Sequence, residues 1–181
     1  GELTRISFIE DKEIQKEYNA FWPTQGTPQN WDAIGKATID GKEEWLLVEA
    51  KAHPGEIKST GTVAKENGGR PLIRKAFNET LKALGYDTID APIWAEKWLK
   101  GYYQHANRLA TLHFLNNHKI PTHLIFIYFC SDKHPDGKFC PKNHEEWKPT
   151  LDKIHKNLGL RGNRVIESRI HNIIVDINSI E

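Results

Sequence analysis

Two carboxylates and an ammonium stand where one hairpin would bring them together: Asp32 near the start of a strand-like run, and Glu49 and Lys51 at the end of the next. Residues two apart on a strand project to the same face, so Glu49 and Lys51 point together while Ala50 points away and leaves its carbonyl near the strand edge. With the arms paired through a turn at 40–43, Asp32 lies at the end of its own arm opposite Glu49. Two carboxylate oxygens and a main-chain carbonyl form a hard, oxygen-rich donor set that suits Mg2+ or Mn2+. Lys51 is then placed to orient an attacking water or to balance charge on a pentavalent phosphorus. Glu-x-Lys alone carries no information, since four such triplets occur in a chain with 15 Glu and 18 Lys. Only Glu49/Lys51 ends an apolar run that follows, across a hairpin turn, another acid in a strand. The competing reading is a salt-bridged strand end with surface charges.

The elements that must position these residues follow from period and punctuation. Asp40-Gly41-Lys42 is a strong turn signal between the runs 31–39 and 44–51. Ahead of them, Ile9, Ile14, Tyr18 and Phe21 recur at helical spacing, and Ser7 with Glu10 has the form of a capping box, which predicts a helix over 10–22. Segment 23–30 reads as irregular, 53–69 as a long polar loop and 71–84 as a helix. One long core helix is expected from Asp90 to His118, with Trp94, Trp98, Leu99, Tyr102, Ala106, Leu109, Leu112 and Leu115 at three- and four-residue steps. A buried strand over 124–130, a loop over 131–143, a helix over 144–158 and a last strand over 170–177 complete the chain. This order predicts one α/β domain over 1–181, a mixed sheet with helices on both faces.

Asn30-Trp31-Asp32, followed by Trp45-Leu46-Leu47-Val48-Glu49-Ala50-Lys51, resembles the PD-(D/E)xK nuclease superfamily, the restriction-endonuclease-like fold. The resemblance covers roughly residues 10–130 in element order, and its sharp part is Asp32, Glu49 and Lys51. It implies a three-layer α/β/α arrangement around a central mixed sheet. It also implies Mg2+ or Mn2+ held by Asp32, Glu49 and the Ala50 carbonyl, and phosphodiester hydrolysis, with DNA as the expected substrate. Such enzymes sometimes add an acid from the first helix, for which Glu17 is the candidate and Glu13 the alternative. Some members place a Gln, and four residues later a Tyr, on the following helix. Here Gln104 is followed at that spacing by Arg108, and Asn30-Trp31 stands where a Pro would precede the Asp.

Gln104, Arg108 and Thr111 share a stripe of the expected core helix, opposite much of its apolar face, from which they could hydrogen-bond the site or a phosphate. Lys58, Lys65, Arg70, Arg74 and Lys75 follow the Glu-x-Lys arm directly and are the candidate phosphate contacts, with Arg108. His53 falls two residues past Lys51 and is expected at the pocket rim or as a bystander. A second constellation, Cys130, His134, Cys140 and His144, lacks the paired spacing of a zinc site.

Composition narrows the alternatives. Net charge is +1 over 181 residues, yet residues 1–49 sum to −5 while 50–82 and 133–169 each sum to +4, as a cation-holding pocket beside a phosphate-binding rim would require. Six Trp, five Tyr and seven Phe exclude wholesale disorder. No run approaches a membrane span, and two cysteines are too few for a disulfide framework, so the cytoplasm is the expected compartment. Little length remains for a separate recognition domain. Specificity is expected from loops 53–70 and 131–143, or from a partner subunit or second copy. The function class that competes with a nuclease is a binding or interaction module that keeps the fold without turnover.

Overall fold

The computed structural model describes residues 3–162 and 164–179. Helix α1, Lys12–Phe21, begins at Asp11, whose carboxylate accepts the N–H groups of Glu13 and Ile14 at 2.9 and 3.2 Å. Asp11 displaces the expected capping box because it directly precedes the first helical residue, whereas Ser7 belongs to a turn closed by Thr4. Strands β1, Ala33–Ile39, and β2, Lys42–Lys51, form the expected antiparallel hairpin. Its two-residue turn puts both Asp40 (φ 50°) and Gly41 (φ 76°) in the left-handed region, a twist that matches the strands.

From β2 the chain crosses over through α2, Arg70–Ala83, α3, Asp90–Lys100, and α4, Tyr103–Asn117, into β3, Thr122–Cys130, which lies parallel to β2. A second crossover through α5, His144–Leu158, leads to β4, Ile170–Asp176, parallel to β3. Among the described residues the result is a four-stranded mixed sheet, order β1-β2-β3-β4, with five α-helices. The single helix expected over 90–118 is two helices. Gly101 is extended and Tyr102 is left-handed (φ 55°, ψ 26°), which turns the chain between α3 and α4. The apolar steps continue across the break because Trp98 and Leu99 on one side and Ala106 and Leu109 on the other enter the same core. Periodicity reports burial, not backbone continuity.

All five helices belong to one layer. Leu124, Phe126 and Tyr128 of β3 are buried on the face that α4 and α5 cover, and Trp147 of α5 packs on Tyr128 at 5.1 Å. On the other face Leu46, Val48, Ile125, Ile127 and Phe129 are half-buried, Ile173 is exposed, and none of them joins the core. The expected helices on both faces are therefore not found among the described residues. The strand order explains this: both crossovers move the same way along the sheet, and right-handed connections then lie on the same side. No helix among the described residues is long and apolar enough to cross a membrane.

Phe77 of α2 lies at the centre of the helical layer. Its ring meets Trp98 at 5.3 Å, Trp22 at 5.6 Å and Tyr103 at 5.9 Å, and it is fully buried. Phe77→Ala is expected to lower unfolding free energy by about 3–5 kcal/mol in urea titrations. A loss under about 1 kcal/mol would contradict this packing.

Candidate active site

The site forms where β2 ends. Pairing of Ala33 with Val48 puts Asp32 one step beyond, beside Glu49, and the Asp32 N–H donates to the Val48 carbonyl at 3.1 Å. The Asp32 carboxylate folds onto β2 and accepts the Ala50 N–H at 2.7 Å. Asp32 is exposed; Glu49, across the hairpin, is 5% exposed and points under α4.

A carboxylate that deep must be neutralised, and two cations do it. Lys51 Nζ reaches Glu49 Oε1 at 2.7 Å, as the same-face spacing requires. From α4, Arg108 donates Nε and Nη2 to Glu49 Oε2 at 3.0 and 2.9 Å. The rest of its planar fork is equally engaged. Nη2 also donates to the Asn30 carbonyl at 2.7 Å, Nη1 donates to Asn107 Oδ1 at 2.8 Å, and the guanidinium lies 4.8 Å from the Trp31 ring centroid. Behind it, Gln29 Oε1 accepts hydrogen bonds from the Tyr18 and Thr111 hydroxyls (3.0 and 2.9 Å), and Gln29 Nε2 donates to the Asn107 carbonyl at 2.9 Å. This network fixes segment 29–30 against α1 and α4, and burial pushes the Tyr18 hydroxyl up to about 12.

Asp32, Glu49 and Lys51 are thus brought together, with Ala50 joining through its main chain. Other expectations are corrected. Glu17 pairs with His118 Nε2 at 2.6 Å, ten residues past Arg108 and so roughly 15 Å further along α4. It lines a separate cleft of about 230 Å³ with Lys75, Glu79 and His113. Glu13 is exposed beside Lys16. Arg108 is no free phosphate contact, and Thr111 is buried with it, because α4 is enclosed on nearly all sides from His105 to Leu112. Gln104 is exposed on the cleft that Arg108 lines, as is Lys58.

The 58–75 cations do not form one cluster. Arg70 and Arg74 pair with Glu66 at 3.1 and 2.7 Å, Arg74 also bonds Glu96, and Lys75 faces Glu79 and the Glu17 cleft. Lys65 is exposed on a neighbouring groove. His53 is buried; its Nδ1 accepts the Gly55 N–H at 3.1 Å and its ring meets His134 edge-on. Cys130 is buried, Cys140 turns towards the Lys138 carbonyl, and no group of three or more His, Cys, Asp or Glu among the described residues is arranged around a metal position.

Of the two expectations for Arg108, a bond to the site or to a phosphate, the structure shows the first, through Glu49; His105 was missed. His105 stacks on Phe126 (4.6 Å, 16°), the β3 partner of Glu49, and neither of its ring nitrogens has a hydrogen-bond partner among the described residues. The available signal was a run of polar residues, His105, Asn107, Arg108 and Thr111, threaded among the apolar positions of one helix.

By donor type, Asp32 and Glu49 with the Ala50 carbonyl fit a Mg2+ ion that keeps several waters. The formal charges of Asp32, Glu49, Lys51 and Arg108 cancel, so a divalent ion must compete with Lys51 for Glu49 Oε1. Comparison with protein-family models, with curated proteins and with solved structures finds no match.

Arg108→Met leaves a buried carboxylate with one cation and is expected to cost about 3–5 kcal/mol. In a double-mutant cycle with Glu49→Gln, the coupling should exceed about 1 kcal/mol. Additive losses would mean that the ion pair contributes nothing of its own. Burial, with the charges of Lys51 and Arg108, pulls His105 down to about 3. The unfolded chain therefore takes up this proton first, and stability should fall by about 1.4 kcal/mol per pH unit below about 6.5. His105→Leu should flatten that slope between pH 6.5 and 5 in urea titrations; an unchanged slope would assign it to other groups.

Proposed function

We propose that this chain is a metal-dependent nuclease of the PD-(D/E)xK, restriction-endonuclease-like type that hydrolyses phosphodiester bonds, with DNA as its substrate. The observation that carries this reading is the meeting of Asp32 with Glu49 and Lys51 at the end of one hairpin. The order helix, hairpin, helical crossover and parallel strand supports it as well. A second helical layer is no part of that support.

In this reading Asp32, Glu49 and the Ala50 carbonyl hold Mg2+ or Mn2+. When bound, the ion supplies a lowered pKa for its water and neutralises charge on the phosphoryl oxygens. Arg108 keeps the Glu49 carboxylate in one orientation. Lys51, once released from Glu49 Oε1, has its ammonium free to hold the attacking water or the phosphorane oxygens. The catalytically inactive binding module is the second reading, favoured by the engagement of both Glu49 oxygens with cations.

Cleavage of single- and double-stranded DNA and RNA with Mg2+ or Mn2+ tests the proposal. The parent should cleave, and Asp32→Asn, Glu49→Gln and Lys51→Met should each lower the rate by about 100-fold or more. Calorimetric Mn2+ binding should be lost in Asp32→Asn and kept in Lys51→Met. Absence of cleavage by the parent on every substrate and metal would favour the binding module.

A further inference from the structure

Two clefts beside the candidate site run together. One, about 550 Å³, is bordered by Lys58, Gln104 and Arg108; the other, about 440 Å³, by Arg5 and Lys65. They share Trp22, Gln29, Gly61 and Tyr103, and so make one groove between the irregular segments 23–30 and 58–69. Its end at Asn30 and Arg108 is the back of the Glu49 site.

Both walls are fixed. Arg5 Nη1 donates to the Pro23 carbonyl at 2.7 Å, the Thr62 N–H to the Leu99 carbonyl at 2.9 Å, and the Tyr103 N–H to Ser59 Oγ at 2.6 Å. Gly61 (φ 88°) presses so closely on the α3–α4 junction that a Cβ there would stand 2.5 Å from the Leu99 carbonyl.

The lining has a one-sided chemistry. Among the described residues no Asp or Glu borders either cleft, although at the chain's average acid content a lining this size would hold about three. Lys58 and Lys65 are exposed and have no carboxylate partner among the described residues, and the charge of Arg5 is bonded to carbonyls that leave it uncancelled. Half-buried Tyr103 lines both clefts, and side-chain amides line the one beside the site. Cations, an aromatic ring in the lining and amide donors and acceptors are the chemistry of single-strand binding: phosphates track the cations while bases turn inward. A duplex, with its bases paired inside, would meet only the rim.

We propose that this groove binds a single strand of nucleic acid and leads it to the Asp32–Glu49–Lys51 site. The inference rests on the nuclease reading for its outcome, and on the groove alone for binding. It is tested by fluorescence anisotropy in EDTA, where no cleavage occurs, with a labelled 12-nucleotide DNA strand, the same RNA strand, and the DNA duplex.

One of the single strands should bind at least tenfold more tightly than the duplex. The exposed double variant Lys58→Ala/Lys65→Ala should weaken that binding about tenfold with an unchanged circular dichroism spectrum. It should also reduce the slope of log affinity against log salt by about 1.4, two contacts' worth for a single strand. Equal or tighter duplex binding, no binding of any probe, or an unchanged slope overturns the proposal. Preference for the RNA strand alone keeps the groove and names its substrate. Single-strand binding without cleavage in Mg2+ or Mn2+ sinks the nuclease reading only, and cleavage with duplex preference sinks the groove only.

Discussion

A carboxylate 5% exposed at the end of a central strand has to be matched by cations, and the Glu49–Arg108 pair is the constraint on which the surrounding structure depends. Arg108 reaches Glu49 from α4, holds the Asn30 carbonyl with the same nitrogen and stacks on Trp31. One side chain therefore ties together the helical layer, the second arm of the hairpin and the segment that delivers Asp32. A lysine could supply the charge but not the fork, which meets three partners in one plane. The polar network of Tyr18, Thr111, Gln29 and Asn107 backs this clamp and leaves α4 with an interior that is polar at one end and apolar at the other.

The topology decides which side of the sheet holds chemistry. Two crossovers in the same direction put α2 to α5 over one face, so Glu49 and Lys51, which project to that face, are enclosed, while Leu46 and Val48 beside them are not. The hairpin end is the point where the antiparallel pair stops and the parallel pair of β2 and β3 continues. Its side chains there have α4 above them and open solvent ahead. Asp32 stays exposed for the same reason.

Charge links the site with the groove beside it. The four formal charges at the hairpin end cancel, and among the described residues the two clefts leading away from it carry cations with no acid between them. The basic residues that look like one cluster in the sequence are divided by the fold. Arg70 and Arg74 lie against Glu66, whereas Lys58 and Lys65 along the groove have no carboxylate partner among the described residues. Glu17, expected at the metal site, and Lys75, expected at a phosphate, share a cleft on another side of the helical layer.

What the sequence determined by itself is the set of local features with short-range causes. The Asp40-Gly41 turn requires left-handed residues, the strand period places Glu49 and Lys51 on one face, and hairpin register carries Asp32 to their side. Helices α2 and α5 and strands β3 and β4 were legible to within a residue or two. Tertiary structure alone decided the rest. The Gly101–Tyr102 break was hidden because both helices fill one core, and the missing second helical layer because crossover side depends on strand order. The partners of Arg108 could not be read from spacing, since a guanidinium 59 residues from its carboxylate is brought there only by the packing of α4 on β3. Local rules set which residues share a strand face; burial, which no local rule fixes, set which charges had to find each other.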